Sequence, residues 1–261
     1  FMKVEPELNL SLCNEMLADE GFSFAEQAHI AKLLGYRGLE LAPGTLGDAP
    51  HRLDDASLIE VRRQIEFYGL GVTGLHWLLA PYPEASIVDP LKRIATEEIL
   101  LALVDQCAVL GGSVLVHGSP SSRRIPEGLS RGDALDNAAA IFQRVAQRAG
   151  ERGFIYCIEP LSRAETDFIN TVEEGQALAE RVVSPAFQTM IDTNAAGLSE
   201  DQPVAALVRQ WVPSGAIGHI QVNDTNRGAP GTGDDPFYEI VRAIKEVGWD
   251  RPIAVEPFRS V

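Results

Sequence analysis

The 261-residue sequence carries 22 Lys and Arg against 37 Asp and Glu, a formal net charge of −15, with 45% apolar and 23% charged residues. That composition suits a globular chain long enough to bury a large core. Its acidity argues against a nucleic-acid or anionic-membrane partner, because neutralising phosphates takes clustered Lys and Arg.

Cys13, Cys107 and Cys157 are odd in number and far apart, so neither a disulfide framework nor a CxxC zinc signature is present. They point to a reduced, cytoplasmic home. The longest apolar stretch, near Ile99–Val104, is too short to cross a bilayer. No basic-then-apolar leader opens the sequence, so secretion is not expected.

In chain order, short apolar runs predict strands at Leu8–Cys13, Gly38–Ala42, Val72–Trp77, Ser113–His117, Phe154–Glu159, Gln188–Asp192, Ile217–Val222 and Ile253–Glu256. Between them, helical periodicity predicts Phe24–Leu34, Ala56–Tyr68, Leu91–Leu110, Asp133–Arg152, Val172–Arg181, Pro203–Trp211 and Pro236–Val247. Ser23 with Glu26 reads as a capping box, and Gly35, Gly69, Gly111, Gly153 and Gly248 stand where left-handed helix caps fall. This alternation predicts an α/β chain folded as a single (β/α)8 TIM barrel over residues 1–261. The rival is a doubly wound open sheet, but Cys13-Asn14-Glu15-Met16 offers no Gly-rich turn after the first strand. Little sequence follows Glu256, so the eighth helix is expected to be missing or truncated.

In such a barrel the active site lies at the carboxyl ends of the strands. Four successive strands end in polar groups: Glu159-Pro160, Asp192-Thr193, Gln221-Val222 and Glu256-Pro257. A lone strand-end acid is commonly a solvated loop residue or helix cap. Three converging carboxylates and an amide are a different matter, since like charges in a dry pocket need a cation to stay ionised. The oxygen-rich set suits Mn2+ or Mg2+. His76 and His117 end strands three and four, either lining the pocket or sitting satisfied in the core or rim. His219 shares a strand face with Gln221 and is expected deeper, hydrogen-bonded rather than ligating. The run Ser121-Ser122-Arg123-Arg124 is either a solvated loop or a pair of cations at the pocket mouth for a carboxylate or phosphate.

Several segments carry a resemblance: Trp77-Leu78-Leu79, His117-Gly118-Ser119-Pro120, Glu159-Pro160-Leu161-Ser162-Arg163-Ala164-Glu165, Asp192-Thr193, Asn226-Arg227-Gly228-Ala229-Pro230-Gly231-Thr232-Gly233 and Val255-Glu256-Pro257-Phe258. With them the chain resembles the xylose isomerase-like TIM-barrel proteins (sugar phosphate isomerases/epimerases), and among these the ketose 3-epimerases. The resemblance implies a divalent metal, Mn2+ first with Mg2+ or Co2+ next, held by Glu159, Asp192, Gln221 and Glu256. It implies Glu159 and Glu256 as paired acid/base groups and Glu165 and Arg227 as contacts to sugar hydroxyls. His76, His117 and Trp77 are further candidate substrate contacts.

The chain departs from the epimerase pattern twice. His219-Ile220-Gln221 replaces an HxH pair, as in hydroxypyruvate isomerases of the same superfamily, and Ala195 stands where the family has a substrate-binding His. The expected function is therefore a metal-dependent isomerase or epimerase of a ketose or related keto compound, working through an enediolate. A dehydratase, a C-glycoside-cleaving lyase and a non-catalytic sugar-binding barrel are the alternatives. A DNA endonuclease of the same barrel would need more strand-end histidines and a basic surface. The expected partner is a small sugar or keto acid, with a homodimer or tetramer as the assembly.

Overall fold

The computed structural model describes residues 7–259. Eight strands close into a parallel barrel in sequence order: β1 (Leu10–Cys13), β2 (Gly38–Leu41), β3 (Gly71–Leu75), β4 (Val114–His117), β5 (Ile155–Ile158), β6 (Phe187–Asp192), β7 (Ile217–Val222) and β8 (Ile253–Val255). Hydrogen bonding between β1 and β8 completes the ring and excludes the open sheet. Around it run α1 (Glu15–Asp19), α2 (Phe24–Leu33), α3 (Asp55–Glu66), α4 (Arg93–Leu110), α5 (Arg131–Glu151), α6 (Val172–Val182), α7 (Thr193–Ser199), α8 (Val204–Trp211) and α9 (Phe237–Glu246). Helices α1 and α7 are additions to the predicted set, each too short to show an amphipathic period. Among the described residues no helix follows β8, and none is long and apolar enough to cross a membrane.

Local chemistry accounts for the boundaries. Ser23 and Glu26 form the reciprocal capping box on α2. The five glycines expected after helices all have positive φ, between +70° and +90°. Strand β3 stops at Leu75, short of its predicted end, and Trp77 follows with a left-handed φ of +52°, which a bulky residue rarely adopts.

Residue parity decides what each strand shows to the barrel interior. Val114, Val116, Cys157 and Met190 form one buried cluster with Ile155 packed against it. The intervening residues Leu115, Tyr156, Ile158 and Ile191 belong to the large core shared with the helices. Two steps on from Cys157 is Glu159, and two on from Met190 is Asp192, so both carboxylates continue the inner face. Burying each large aliphatic side chain of the outer layer contributes about 1.5–3 kcal/mol, which holds the strand ends in place beneath the loops that carry polar groups.

Candidate active site

Glu159, Asp192 and Glu256 are all buried, and each offers a carboxylate oxygen within 4.8 Å of the others. Their approach depends on a missing side chain. A Cβ at Gly118, just past β4, would crowd Oε2 of Glu159, so the carboxylate keeps this position only while glycine stands there. Asp192 divides its two oxygens: Oδ1 accepts the Ala195 N–H at 2.7 Å and caps α7, while Oδ2 is buried with no hydrogen-bond partner. Helix cap and site residue are thus one side chain. Gln221 pairs in register with Asp192 on the neighbouring strand, which puts both on the inner face. Its Oε1 is likewise buried without a partner.

The electrostatics of the trio are unfavourable without a cation. Burial, then the neighbouring Asp192, pushes Glu159 well above the usual carboxylate range, and Arg123 offsets only part of this. Burial and the charges of Glu159, Glu15 and Asp192 do the same to Glu256. Asp192 is raised by burial to about 7 despite the Ala195 N–H that favours its charged form. The three buried carboxylates, one of them with an orphaned oxygen in Asp192 Oδ2, and the orphaned Oε1 of Gln221 on the strand position in register with Asp192 offer oxygen donors alone. That set fits a divalent cation.

Below the trio lies a second polar layer. Glu40 on β2 is fully buried. Its Oε1 accepts the Gln221 side-chain N–H at 2.8 Å across the barrel, and His219 Nε2 stands 2.8 Å from its Oε2. His76 Nδ1 lies 3.7 Å from Oε1, while His76 Nε2 pairs with Glu15. Burial would raise Glu40, but His219 and His76 outweigh it and hold the carboxyl below its ordinary value. Cys13, His76 and Glu256 also bring donor atoms within 4.8 Å of one another. His219 therefore sits where strand parity placed it, deep and paired. Sequence reasoning passed over Glu40 and Glu15. The signal for Glu40 is an acid inside the apolar strand Gly38-Leu39-Glu40-Leu41, one residue short of the end, where strands five, six and eight carry theirs.

A cavity of about 330 Å³ opens above the trio, its walls including Trp77, Glu165, Asn194, Arg227 and Phe258 along with Glu159, Asp192 and Glu256. Trp77 stacks on Phe258 with ring centroids 6.0 Å apart, and the Arg227 guanidinium lies 4.2 Å from the Phe258 centroid. Glu165 is held by the Ser162 hydroxyl at 2.7 Å.

Two expectations fail on geometry. His117 is not brought to the cavity. Its parity on β4 turns it outward, where it bonds Tyr156 Oη at 2.8 Å and packs its ring on Phe142 of α5. Burial, then Arg123, pushes it well below the usual histidine range, so it is neutral. Arg123 is not at the mouth either. It is wholly buried and donates to the backbone carbonyls of His117, Gly118, Phe168 and Ile169, and only Arg124 of the pair is exposed. His76 stays on the inner face but is fully buried beneath the cavity.

A closed eight-stranded barrel with its buried acids gathered at the carboxyl ends of the strands defines a TIM-barrel protein with a polar site at its catalytic face. Residues 28–261 match the family described as a xylose isomerase-like TIM barrel. The chain belongs to that family. It is similar to a ketose 3-epimerase from Arthrobacter globiformis, 27% identical over 182 residues that cover 70% of this chain and 62% of the relative. An L-ribulose 3-epimerase from Methylomonas sp. (strain DH-1) is 26% identical over 183 residues, covering 70% and 63%. The chain thus spans a little under two thirds of the length of these relatives. Its fold matches a D-psicose 3-epimerase crystallised in the presence of D-fructose, with a TM-score of 0.81, 21% identity, and coverage of 97% and 86%. It also matches a 3-keto-D-glucoside 4-epimerase from E. coli, with a TM-score of 0.80, 19% identity, and coverage of 98% and 94%.

Proposed function

We propose that this protein is a divalent-cation-dependent epimerase or isomerase of a ketose or related keto sugar, moving a proton at the carbon beside the carbonyl. The observation that carries the proposal is the buried Glu159–Asp192–Glu256 trio beneath a sugar-sized cavity. Glu159, Asp192, Gln221 and Glu256 would hold the cation, Mn2+ before Mg2+ or Co2+, which supplies the Lewis acidity that makes such a proton removable.

The remaining chemistry belongs to the chain. Glu159 on the β5 end and Glu256 on the β8 end flank Asp192 on β6, so a sugar carbon between them meets a carboxylate on either side. One glutamate removes the proton and the other returns a proton to the opposite face, which inverts the centre. Glu165, steadied by Ser162, and Arg227, laid over Phe258, hold the sugar hydroxyls, and the Trp77–Phe258 stack shields the site from water. Among the described residues that line the cavity Arg227 is the one cation, and Arg123 is occupied by backbone carbonyls. This supports an unphosphorylated substrate. A one-domain organisation over 1–261, a cytoplasmic location and a dimeric or tetrameric assembly form part of the same proposal.

The test is solvent exchange. Mn2+-loaded protein incubated in D2O with D-fructose, D-psicose or a 3-keto glucoside should place deuterium at the carbon next to the carbonyl, read by NMR. No exchange into any of these by folded, cation-bound protein overturns the proposal.

A further inference from the structure

We infer that Glu40 is a positioning residue whose carboxylate turns the Gln221 side chain so that its amide oxygen, and not its NH2, faces the Glu159–Asp192–Glu256 cluster. The inference rests on the cation centre proposed above and concerns how this chain presents a neutral amide as its fourth donor.

An amide has no intrinsic preference for which end it presents, since a half-turn exchanges a donor for an acceptor in the same volume. With the NH2 inward, Gln221 would hydrogen-bond the carboxylates and block a cation. With the oxygen inward, it would complete the donor set. Glu40 makes the choice. An ionised carboxylate only accepts, and Oε1 of Glu40 takes the Gln221 N–H at 2.8 Å. The amide oxygen is left buried and unpartnered, on the strand position in register with Asp192.

Glu40 stands between two imidazoles. It is fully buried, with His219 Nε2 at 2.8 Å on one oxygen and His76 Nδ1 at 3.7 Å from the other. Groups that orient metal ligands from behind commonly change affinity by roughly 10- to 100-fold when removed.

A double-mutant cycle read by calorimetric Mn2+ titration of chelator-treated protein tests the assignment. Glu40→Ala should weaken Mn2+ binding by roughly 10- to 100-fold. Glu40→Gln, which keeps an oxygen for the Gln221 NH2, should recover most of that loss. In a Gln221→Ala background, Glu40→Ala should shift affinity by no more than about twofold, because the group it orients is gone.

If Glu40→Ala does not melt cooperatively, the exchanged pair Glu40→Gln with Gln221→Glu serves instead. It should bind Mn2+ more tightly than Gln221→Glu alone, where two carboxylates confront each other. Three results overturn the inference: equal losses in Glu40→Ala and Glu40→Gln, an undiminished Glu40→Ala effect in the Gln221→Ala background, or an exchanged pair no better than Gln221→Glu. Each of these leaves the proposed function standing. Folded wild-type protein that binds no Mn2+ overturns both.

Discussion

Asp192 shows how one side chain serves fold and site together. Its Oδ1 closes the first turn of α7 while Oδ2 stays buried and unpartnered, and the carboxylate lies close to those of Glu159 and Glu256. Among the described residues neither glutamate side chain caps a helix; burial, then Asp192 for Glu159 and Glu159 for Glu256, holds both well above the usual carboxylate range. Their replacement should therefore separate stability from activity. Glu159→Gln and Glu256→Gln should each raise the melting temperature of chelator-treated protein, because a buried charge conflict is removed. Each should also cut turnover of the responsive keto sugar by roughly 100-fold or more, since general acid–base catalysis contributes on that order. Thermal melts and initial rates on the same preparations check both halves.

Among the elements, β4 and the segment after it carry the sharpest constraints. Gly118 lets Glu159 lie across the end of β4, and a methyl group there collides with the carboxylate. Gly118→Ala should push the Glu159 carboxylate aside at little cost in stability and weaken Mn2+ binding, measurable by denaturant melts and calorimetry. Arg123 ties the turn after β4 to the loop after β5 through four backbone carbonyls. Replacing it with Met takes the donor from the Gly118 and Phe168 carbonyls, while those of His117 and Ile169 keep the N–H groups of Glu159 and Leu161. Arg123→Met should destabilise the fold by about 2–6 kcal/mol, given about 1–3 kcal/mol for each of the two stranded carbonyls. It should not change the preference between a ketose and its phosphate ester. A selective loss of phosphorylated-sugar binding would return Arg123 to the cavity mouth.

For the molecule as a whole, the gathered acids link stability to pH. Glu159, Asp192 and Glu256 are raised in the fold, Asp192 to about 7. The metal-free folded state therefore holds protons that the unfolded chain releases. The contribution of these groups is most favourable below the ordinary carboxylate value of about 4 and is lost as pH rises through about 7 for Asp192. Melting temperatures of chelator-treated wild type, relative to Asp192→Asn, should fall across that interval. Added Mn2+ should flatten the fall, because a ligand that binds only the folded state stabilises it. A wild-type curve parallel to the variant's would refute the linkage.

Much of this molecule is written locally. All eight strands and the seven long helices are legible because apolar runs, amphipathic periods, the Ser23–Glu26 box and the capping glycines act within a few residues. The strand ends at Glu159, Asp192, Gln221 and Glu256 are legible for the same reason. What is not local is direction. Val114-Leu115-Val116 is apolar on both faces, as a strand buried between barrel core and helices must be, so nothing in it says whether His117 points in or out. Arg123 looks like a surface cation until carbonyls from the loop after β5 surround it. Glu40 and Gln221 lie 181 residues apart, and α1 and α7 are too short to announce themselves. Closing the barrel sets the parity of every strand at once, and with it which polar groups meet at the centre. Local pattern supplies the parts and their polarity, and closure supplies the facing.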